Sequence, residues 1–517
     1  MKRAVCISYI VIQLITVSLL LFAAGSTDYY IKRDQLFSNI VYLGAGLIAS
    51  ILFLLLIRTF RNRLNVFLTR YERIAVPLVV GVFFLMSSMI CISGFFYSDW
   101  DPAAILGAVY DLLKDRSEEV AVTYFSNHPN NLLLVWVYLS VMKLNGVFGA
   151  DSVLCLVVFQ CLLTAISAFL FFGIIKELSG GSRVISFTGL ILFELWTGLS
   201  PWFIITYSDE VGMIFPLLIL RCFIEMEKAG TGRGAGAFYG ALMGGIAAFG
   251  YFIKPQTVIA FAAALAVLTA SGSAVPLGKK TGALIAALAA AMICTAGIRL
   301  TLIPSLSIEV DRGRSFGAAH YLMMGLNPET DGVYSDEDTE YTDSFENPSE
   351  KNQADMRIVK ERIEGYGFAG LLEHAKKKIL VNYNDGLFSW GVDGHFFAGR
   401  ESEDIGDVPE NFLTLPVWSF IMPEGTNHGK YSAASQAIWL TVLFMGLLTG
   451  IMAMEGTFGN RSGIIQKGAL YVLMLSLTGL FIFELLFEAK ARYLFSYTPY
   501  FLMAAMVPGW VFIEKGK

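Results

Sequence analysis

The sequence predicts an all-α polytopic membrane protein. It has about twelve transmembrane helices, interfacial helices in the first large outer loop, and one small α-rich subdomain outside the bilayer. Composition is the first reason: 55% of the 517 residues are hydrophobic and only 16% are charged, where a soluble chain carries about a quarter charged residues. The second is that apolar runs recur at the roughly 20-residue length that crosses a bilayer. The third is that Lys and Arg gather in short linkers between those runs, the bias that marks cytoplasmic loops. The net charge of −5 decides little, because charge divides between two membrane faces. Membrane lipids are expected partners. Nucleic acid is not, since the cations are scattered and flank apolar runs.

The N-terminal run follows Met1-Lys2-Arg3 and reads as a retained signal anchor. It exceeds a usual signal-peptide core, and Ala23-Ala24-Gly25 is a weak cleavage site. Spans are predicted at 6–25, 39–58, 75–96, 153–175, 185–204, 210–227, 237–253, 256–272, 281–303, 435–454, 467–487 and 493–513. They divide the chain into an N-terminal transmembrane module (1–303) with an outer loop at 97–152, an extracytoplasmic subdomain (304–434), and C-terminal transmembrane helices (435–517). The linker carrying Arg58, Arg61, Arg63, Arg70 and Arg73 should be cytoplasmic. So should Arg221 to Arg233, Lys279-Lys280, Arg461 to Lys467, and the terminal Lys515 and Lys517.

One apolar segment, 129–147, tests that count. Were it a crossing, Arg221–Arg233 and Lys279-Lys280 would move outside. Left uncounted, every basic loop is cytoplasmic, as are both termini. The segment is therefore expected to lie in the outer interface or to dip in and return, a depth that suits Trp136 and Tyr138.

Loop 304–434 holds more than half of the acidic residues. Its middle, Asn327 to Glu350, reads as irregular surface loop. Ser349 is expected to cap a helix over about 350–364, with a second helix over 368–381. Phe388, Trp390, Phe396, Phe397 and Trp418 point to a packed subdomain of its own. The six cysteines lie in or beside apolar runs and have no metal-ligand spacing. The five histidines (128, 320, 374, 395 and 428) lack it as well. No metal site is expected; a divalent ion is compatible with the sequence and unsupported by it.

Five polar clusters fall on the outer side under this topology. Tyr97-Ser98-Asp99-Trp100-Asp101-Pro102 puts two carboxylates where a span leaves the membrane, and a carboxylate beside a low-dielectric wall can be tuned as a general base. Asp101-Pro102 equally makes an N-cap and first-turn pair. His128-Pro129-Asn130-Asn131 precedes an apolar helix and suits either sugar or phosphate binding or a plain turn. Asp209-Glu210 sits at a span's edge, where charge is usually functional. Lys254 interrupts two apolar runs and can hold a phosphate as a point charge or simply snorkel. Within Glu488-Ala489-Lys490-Ala491-Arg492-Tyr493, Arg492 can clasp a phosphate bidentately or pair with Glu488 four residues before it. Carboxylates and cations gathered on one face suit a substrate carrying an anionic phosphate and a polar group to be activated.

These patches (SDWDP, HPNN, YSDE, the KP pair and EAKARY) resemble the GT-C superfamily of polyprenyl-phosphate-sugar-dependent glycosyltransferases, the group that contains protein O-mannosyltransferases and aminoarabinose transferases. The likeness covers most of the chain in layout and only short stretches in motif. Here Trp100 separates Asp99 from Asp101, where many members have adjacent acidic residues. The resemblance implies inverting transfer of a sugar from a polyprenyl-phosphate carrier, the donor substrate, to an extracytoplasmic glycan, lipid or protein acceptor, with the active site outside the cell membrane. It implies Asp101 as the catalytic base, with Asp99 the alternative, and Asp209 as a second acidic position. Lys254 and Arg492 would bind the donor phosphate. His128, Asn130, Glu210, Glu488 and Tyr493 would bind substrate. A transporter or flippase of a lipid-linked glycan is the rival, expected to carry mid-membrane charges and internal symmetry; a cell-wall polymer ligase is another.

Overall fold

A computed structural model describes residues 2–22, 37–117, 120–147, 152–229, 234–270, 277–392, 396–455 and 464–515. Arg233, Arg461, Lys517, His395, the stretch Ala23-Ala24-Gly25 and most of loop 26–38 lie outside the described residues. The described chain is helical, with no strand longer than one isolated bridge between Tyr97 and Gly399. Its longer helices are α1 (Lys2–Phe22), α2 (Asn39–Gly94), α3 (Asp101–Leu113), α4 (Leu132–Val147), α5 (Leu154–Leu178), α6 (Arg183–Phe193), α7 (Ile214–Ala229), α8 (Ala235–Ile253), α9 (Val258–Thr269), α10 (Leu277–Gly297), α11 (Ala318–Gly325), α12 (Asp336–Asp343), α13 (Pro348–Tyr383), α14 (His428–Met454), α15 (Ile464–Leu486) and α16 (Thr498–Lys515).

Among the described residues, seven helical runs are long and apolar enough to cross a membrane: Arg3–Phe22, Asn39–Gly94, Leu154–Leu178, Ala235–Ile253, Gly278–Leu306, His428–Met454 and Lys467–Leu486. The twelve predicted spans are redistributed for physical reasons. Spans 39–58 and 75–96 belong to one helix of 56 residues, α2, because the Arg-rich linker between them contains no glycine or proline to break it. Straight, such a helix would reach about 84 Å. Instead Asn39 bonds to Asn384, while Gly94 abuts Ile421, whose carbonyl accepts from Trp390. Both ends thus meet the same layer of the molecule, and the run must turn over through its basic middle. Span 185–204 shortens to the 11 residues of α6 and a π turn, Glu194–Gly198, before Pro201. Span 256–272 shortens to the 12 residues of α9, since Pro255 delays its start.

The basic linkers collect at one end of the bundle. Lys176 and Arg183 pair with Glu72, Lys228 pairs with Glu177, and Arg221 pairs with Glu225. At the other end lie Gln160, Asp209, Lys254 and Arg492. Helix α5 fixes the polarity, since Lys176 near its last turn joins the basic end and Gln160 in its second turn joins the polar end through Tyr138 and the carbonyls of Phe203 and Ile205. Helix α4, the core of 129–147, has 16 residues and a length of about 24 Å, short of a roughly 30 Å hydrocarbon core. Its Tyr138 and Met142 meet α5 at its opening turns, at Gln160 and Cys155, and Tyr138 Oη also donates to the Tyr207 carbonyl.

Loop 304–434 departs from expectation in three ways. Its middle is ordered: Ser335 caps α12 by accepting from Asp338 N, and Asp338 then receives a bidentate clasp from Arg362 at 2.6 and 2.9 Å. The expected irregular loop is wrong because a cap followed by acidic first-turn residues is a good helix start. The cap of α13 is Asn347 rather than Ser349, its side chain accepting from Glu350 N. Helix α13 then breaks at Gly367 (φ 56°), so the two expected helices are there, joined through a left-handed residue that glycine tolerates. Finally, the aromatic residues do not make a separate core. Phe388 packs on Trp439 and Phe495, and Trp390 and Phe396 pack on Phe96 and Trp202, all in one continuous cluster with the bundle. The loop's own cluster is only Met323, Leu326 and Val359.

A buried imidazole in this layer sets a pH limit. His320 accepts no water-exposed role: it is 1% exposed, and its Nδ1 lies 2.8 Å from Thr342 Oγ1, which itself donates to Asp355. Burial first, then the charges of His128 and Lys351, pushes His320 from 6.5 down to about 4, with Asp338 opposing. The unfolded layer therefore takes up a proton that the folded one refuses. Stability is fully present above pH 6.5 and falls as pH drops towards 4, by about 3 kcal/mol in all. Hydrogen-exchange protection across α11 and α12, corrected for the intrinsic pH dependence of exchange, should fall from pH 7 to 5, and His320→Asn should flatten that dependence. Equal protection at both pH values would contradict the buried-imidazole account.

Candidate active site

The polar clusters converge on a single cavity of about 1180 Å³. Local sequence explains why each arrives there. Lys254 precedes Pro255, which drives it out of the helical region (φ −150°, ψ 107°) and ends α8. Its side chain thereby leaves the helix and meets Asp209, Nζ to Oδ1 2.6 Å. Asp209 lies in a five-residue turn of helix, Ser208–Gly212, entered from an extended Tyr207. Gly212 closes against Lys254 and Ser496, where an added Cβ would sit 3.2 Å from both side chains. Ser496 Oγ also donates to the Asp209 carbonyl. The segment bearing Arg492 is thus tied to the segment bearing Asp209.

Arg492 Nε stands 4.0 Å from Asp209 Oδ2, and its guanidinium lies 4.0 Å over the Trp100 ring and 5.2 Å over Tyr207. Lys254 lies over the rings of Tyr493 and Tyr207 at 4.4 and 5.4 Å. Two cations share one carboxylate and three aromatic faces, an arrangement that keeps them dry and attractive to an anion. Glu488 accepts from Tyr493 Oη at 2.8 Å and faces Lys490 at 3.8 Å.

Asp101 is the first residue of α3, with Trp100 in the cap position and no side-chain cap bond. Its carboxylate instead accepts from Tyr207 Oη at 2.7 Å. Burial raises this carboxyl, but His128, Arg492, the Tyr207 hydrogen bond and Lys490 together outweigh it and hold Asp101 below its ordinary value. Burial holds His128 below its own ordinary value, against Asp101 and Glu488. Asp99, by contrast, is exposed and lines the mouth.

Asp99, Asp101, His128, Asn130, Lys254, Glu488, Arg492 and Tyr493 all line the cavity. Asp209 and Glu210 do not. They are 0% and 3% exposed and stand behind Lys254, so Asp209 is a positioning residue rather than one that touches a ligand. Sequence reasoning missed Tyr207, whose one signal was its place beside Asp209. It also missed the aromatic wall from Tyr124, Phe316 and Tyr321 around His128. Phe316 and Tyr321 are brought in by loop 304–434, as Asp311 N and Phe316 N bond back to Ser126 and Asn127. No cluster of three His, Cys, Asp or Glu suited to a metal occurs among the described residues.

Residues 1–509 match the family described as "conserved hypothetical integral membrane protein". The chain belongs to this family. The match spans every helix described above except the end of α16. No curated protein and no solved structure matches the chain.

Proposed function

We propose that this protein is a GT-C-type glycosyltransferase that moves a sugar from a polyprenyl-phosphate carrier to an extracytoplasmic acceptor with inversion. The observation that carries the reading is the meeting, in one cavity, of the Asp101 carboxylate with the Lys254 and Arg492 cations. In this reading the basic end of the bundle faces the cytoplasm, as do both termini, and the cavity opens outside. The acceptor hydroxyl oxygen attacks the anomeric carbon while the bond from that carbon to the phosphate oxygen breaks. The electron pair leaves with the carrier phosphate, and the hydroxyl proton passes to Asp101. Lys254 and Arg492 stabilise the charge that grows on the departing phosphate, and such preorganised charge is worth several kcal/mol in a dry site. Asp101 suits the base better than Asp99, because Tyr207 orients it and the cations keep it ionised.

Transfer from a radiolabelled polyprenyl-phosphate sugar to membrane acceptors is the direct test. Lys254→Ala should weaken use of the donor about 10²-fold while leaving the acceptor KM within a factor of a few. An unchanged donor dependence would remove Lys254 from phosphate binding. A second reading, a transporter or flippase of a lipid-linked glycan, draws on Glu194, a 2%-exposed carboxylate in a π turn with one oxygen lacking a hydrogen-bond partner. Translocation of the intact lipid-linked glycan, with no new glycosidic bond, would favour it.

A further inference from the structure

The cavity has a second face that the proposed chemistry does not use. Away from Asp101 it is lined by Tyr251, Phe252, Val258, Ile259 and Ile303, and the charged group among them is Arg299. Arg299 belongs to the π turn Ile298–Leu302 that ends α10. Single π turns commonly mark functional sites, because the extra residue re-aims neighbouring side chains. Its guanidinium lies 5.5 Å over the Phe252 ring and has no carboxylate partner among the described residues. Phe252 is two residues from Lys254, so Arg299 is level with the phosphate-binding cations.

The surroundings of Arg299 are those of a lipid-facing surface. Leu300, Ile293, Met292 and Tyr251 are 73%, 71%, 68% and 46% exposed on the same flank. Packing distinguishes this end of the helix pair from the other. Helices α8 and α10 run side by side, and Gly240 and Gly244 press directly on the backbones of Ala283 and Ala287, leaving no room for a Cβ. Small residues zip that half of the pair together. At the cavity end the facing residues are larger, the Arg299 guanidinium lying 5.5 Å over the Phe252 ring.

We propose that this flank is a lateral portal, and that Arg299 receives the phosphate of a polyprenyl-type lipid entering from the bilayer before it passes Phe252 to Lys254 and Arg492. The choice of a polyprenyl chain rests on the proposed transferase reading. The demand for a lipid phosphate rests on Arg299 alone, an unpaired guanidinium beside an apolar wall, which a phosphate satisfies bidentately. An ordinary phospholipid headgroup and free phosphate share that chemistry, so the test separates them.

The full-length protein in nanodiscs would be titrated with a labelled long-chain polyprenyl monophosphate, with phosphatidylglycerol, inorganic phosphate and the parent polyprenol as competitors. Arg299→Ala should weaken polyprenyl-phosphate binding about tenfold and Arg299→Lys by less, since lysine keeps the charge and loses the fork. Phosphatidylglycerol, inorganic phosphate and polyprenol should each displace the label poorly. Equal binding by wild type and Arg299→Ala would overturn the proposal, as would displacement by phosphatidylglycerol at matching concentration. Arg299-dependent binding without any sugar transfer would keep the portal and reject the transferase.

Discussion

Asp101→Asn should reduce sugar transfer by about 10²- to 10⁴-fold, the range that a positioned general base contributes. The amide keeps the shape, and its oxygen still accepts from Tyr207, so the variant should insert and purify like the wild type. What it loses is the ability to take the acceptor proton. The measurement is initial rate at saturating donor, alongside thermal unfolding of the same preparation. A loss of rate with unchanged unfolding fits a base. Asp99→Asn is the internal comparison and should fall only a few-fold, because Asp99 lies exposed at the mouth without the Tyr207 partner. Full activity in Asp101→Asn would remove that residue from the chemistry.

The second large effect concerns folding. Asp209→Asn strips the counter-charge from Lys254 at 2.6 Å and from Arg492 at 4.0 Å, with all three groups at most 5% exposed. Breaking a buried ion pair from one side costs about 3–5 kcal/mol, because a charge is left unpaired in a dry place. Asp209→Asn should therefore unfold at a clearly lower temperature than the wild type. Adding Lys254→Met to it should restore much of the loss, since a well-packed apolar group then replaces the orphaned ammonium. A double variant no more stable than Asp209→Asn would mean that Lys254 was not the group held in check.

How far the sequence could be read differs by scale. Membrane character, the far-end basic linkers and the shared side of the polar clusters were legible, because hydropathy and charge bias act over tens of residues. Depth was not. Asp209 and Lys254 are both charged residues at span edges, and nothing in their spacing says that one hides behind the other. That order is set by Gly212 and Pro255, which decide how closely the backbones approach. The unbroken helical run of α2 was not legible, because a basic linker can turn the chain over without leaving helical geometry. The better clue was the lack of any breaker between Arg58 and Arg73. Helix α12 was lost to its acidity, although Ser335 and Asp338 stand at capping distance. The roles of Tyr207 and Phe316 depend on contacts across more than a hundred residues, beyond any local pattern.

The shared aromatic core has a consequence for the order of assembly. Residues 386–397 leave the ribosome long before Trp439 and Phe495, yet Phe388 rests on both and Trp202 bonds to the Leu387 carbonyl. The early helices can offer only half of the pocket. Phe388 must therefore wait, unshielded, until the last helices have entered the bilayer and brought the other half. The final crossing is then what locks the layer over the cavity, and a chain stopped before Phe495 would hold a complete set of loop residues with nothing to close against.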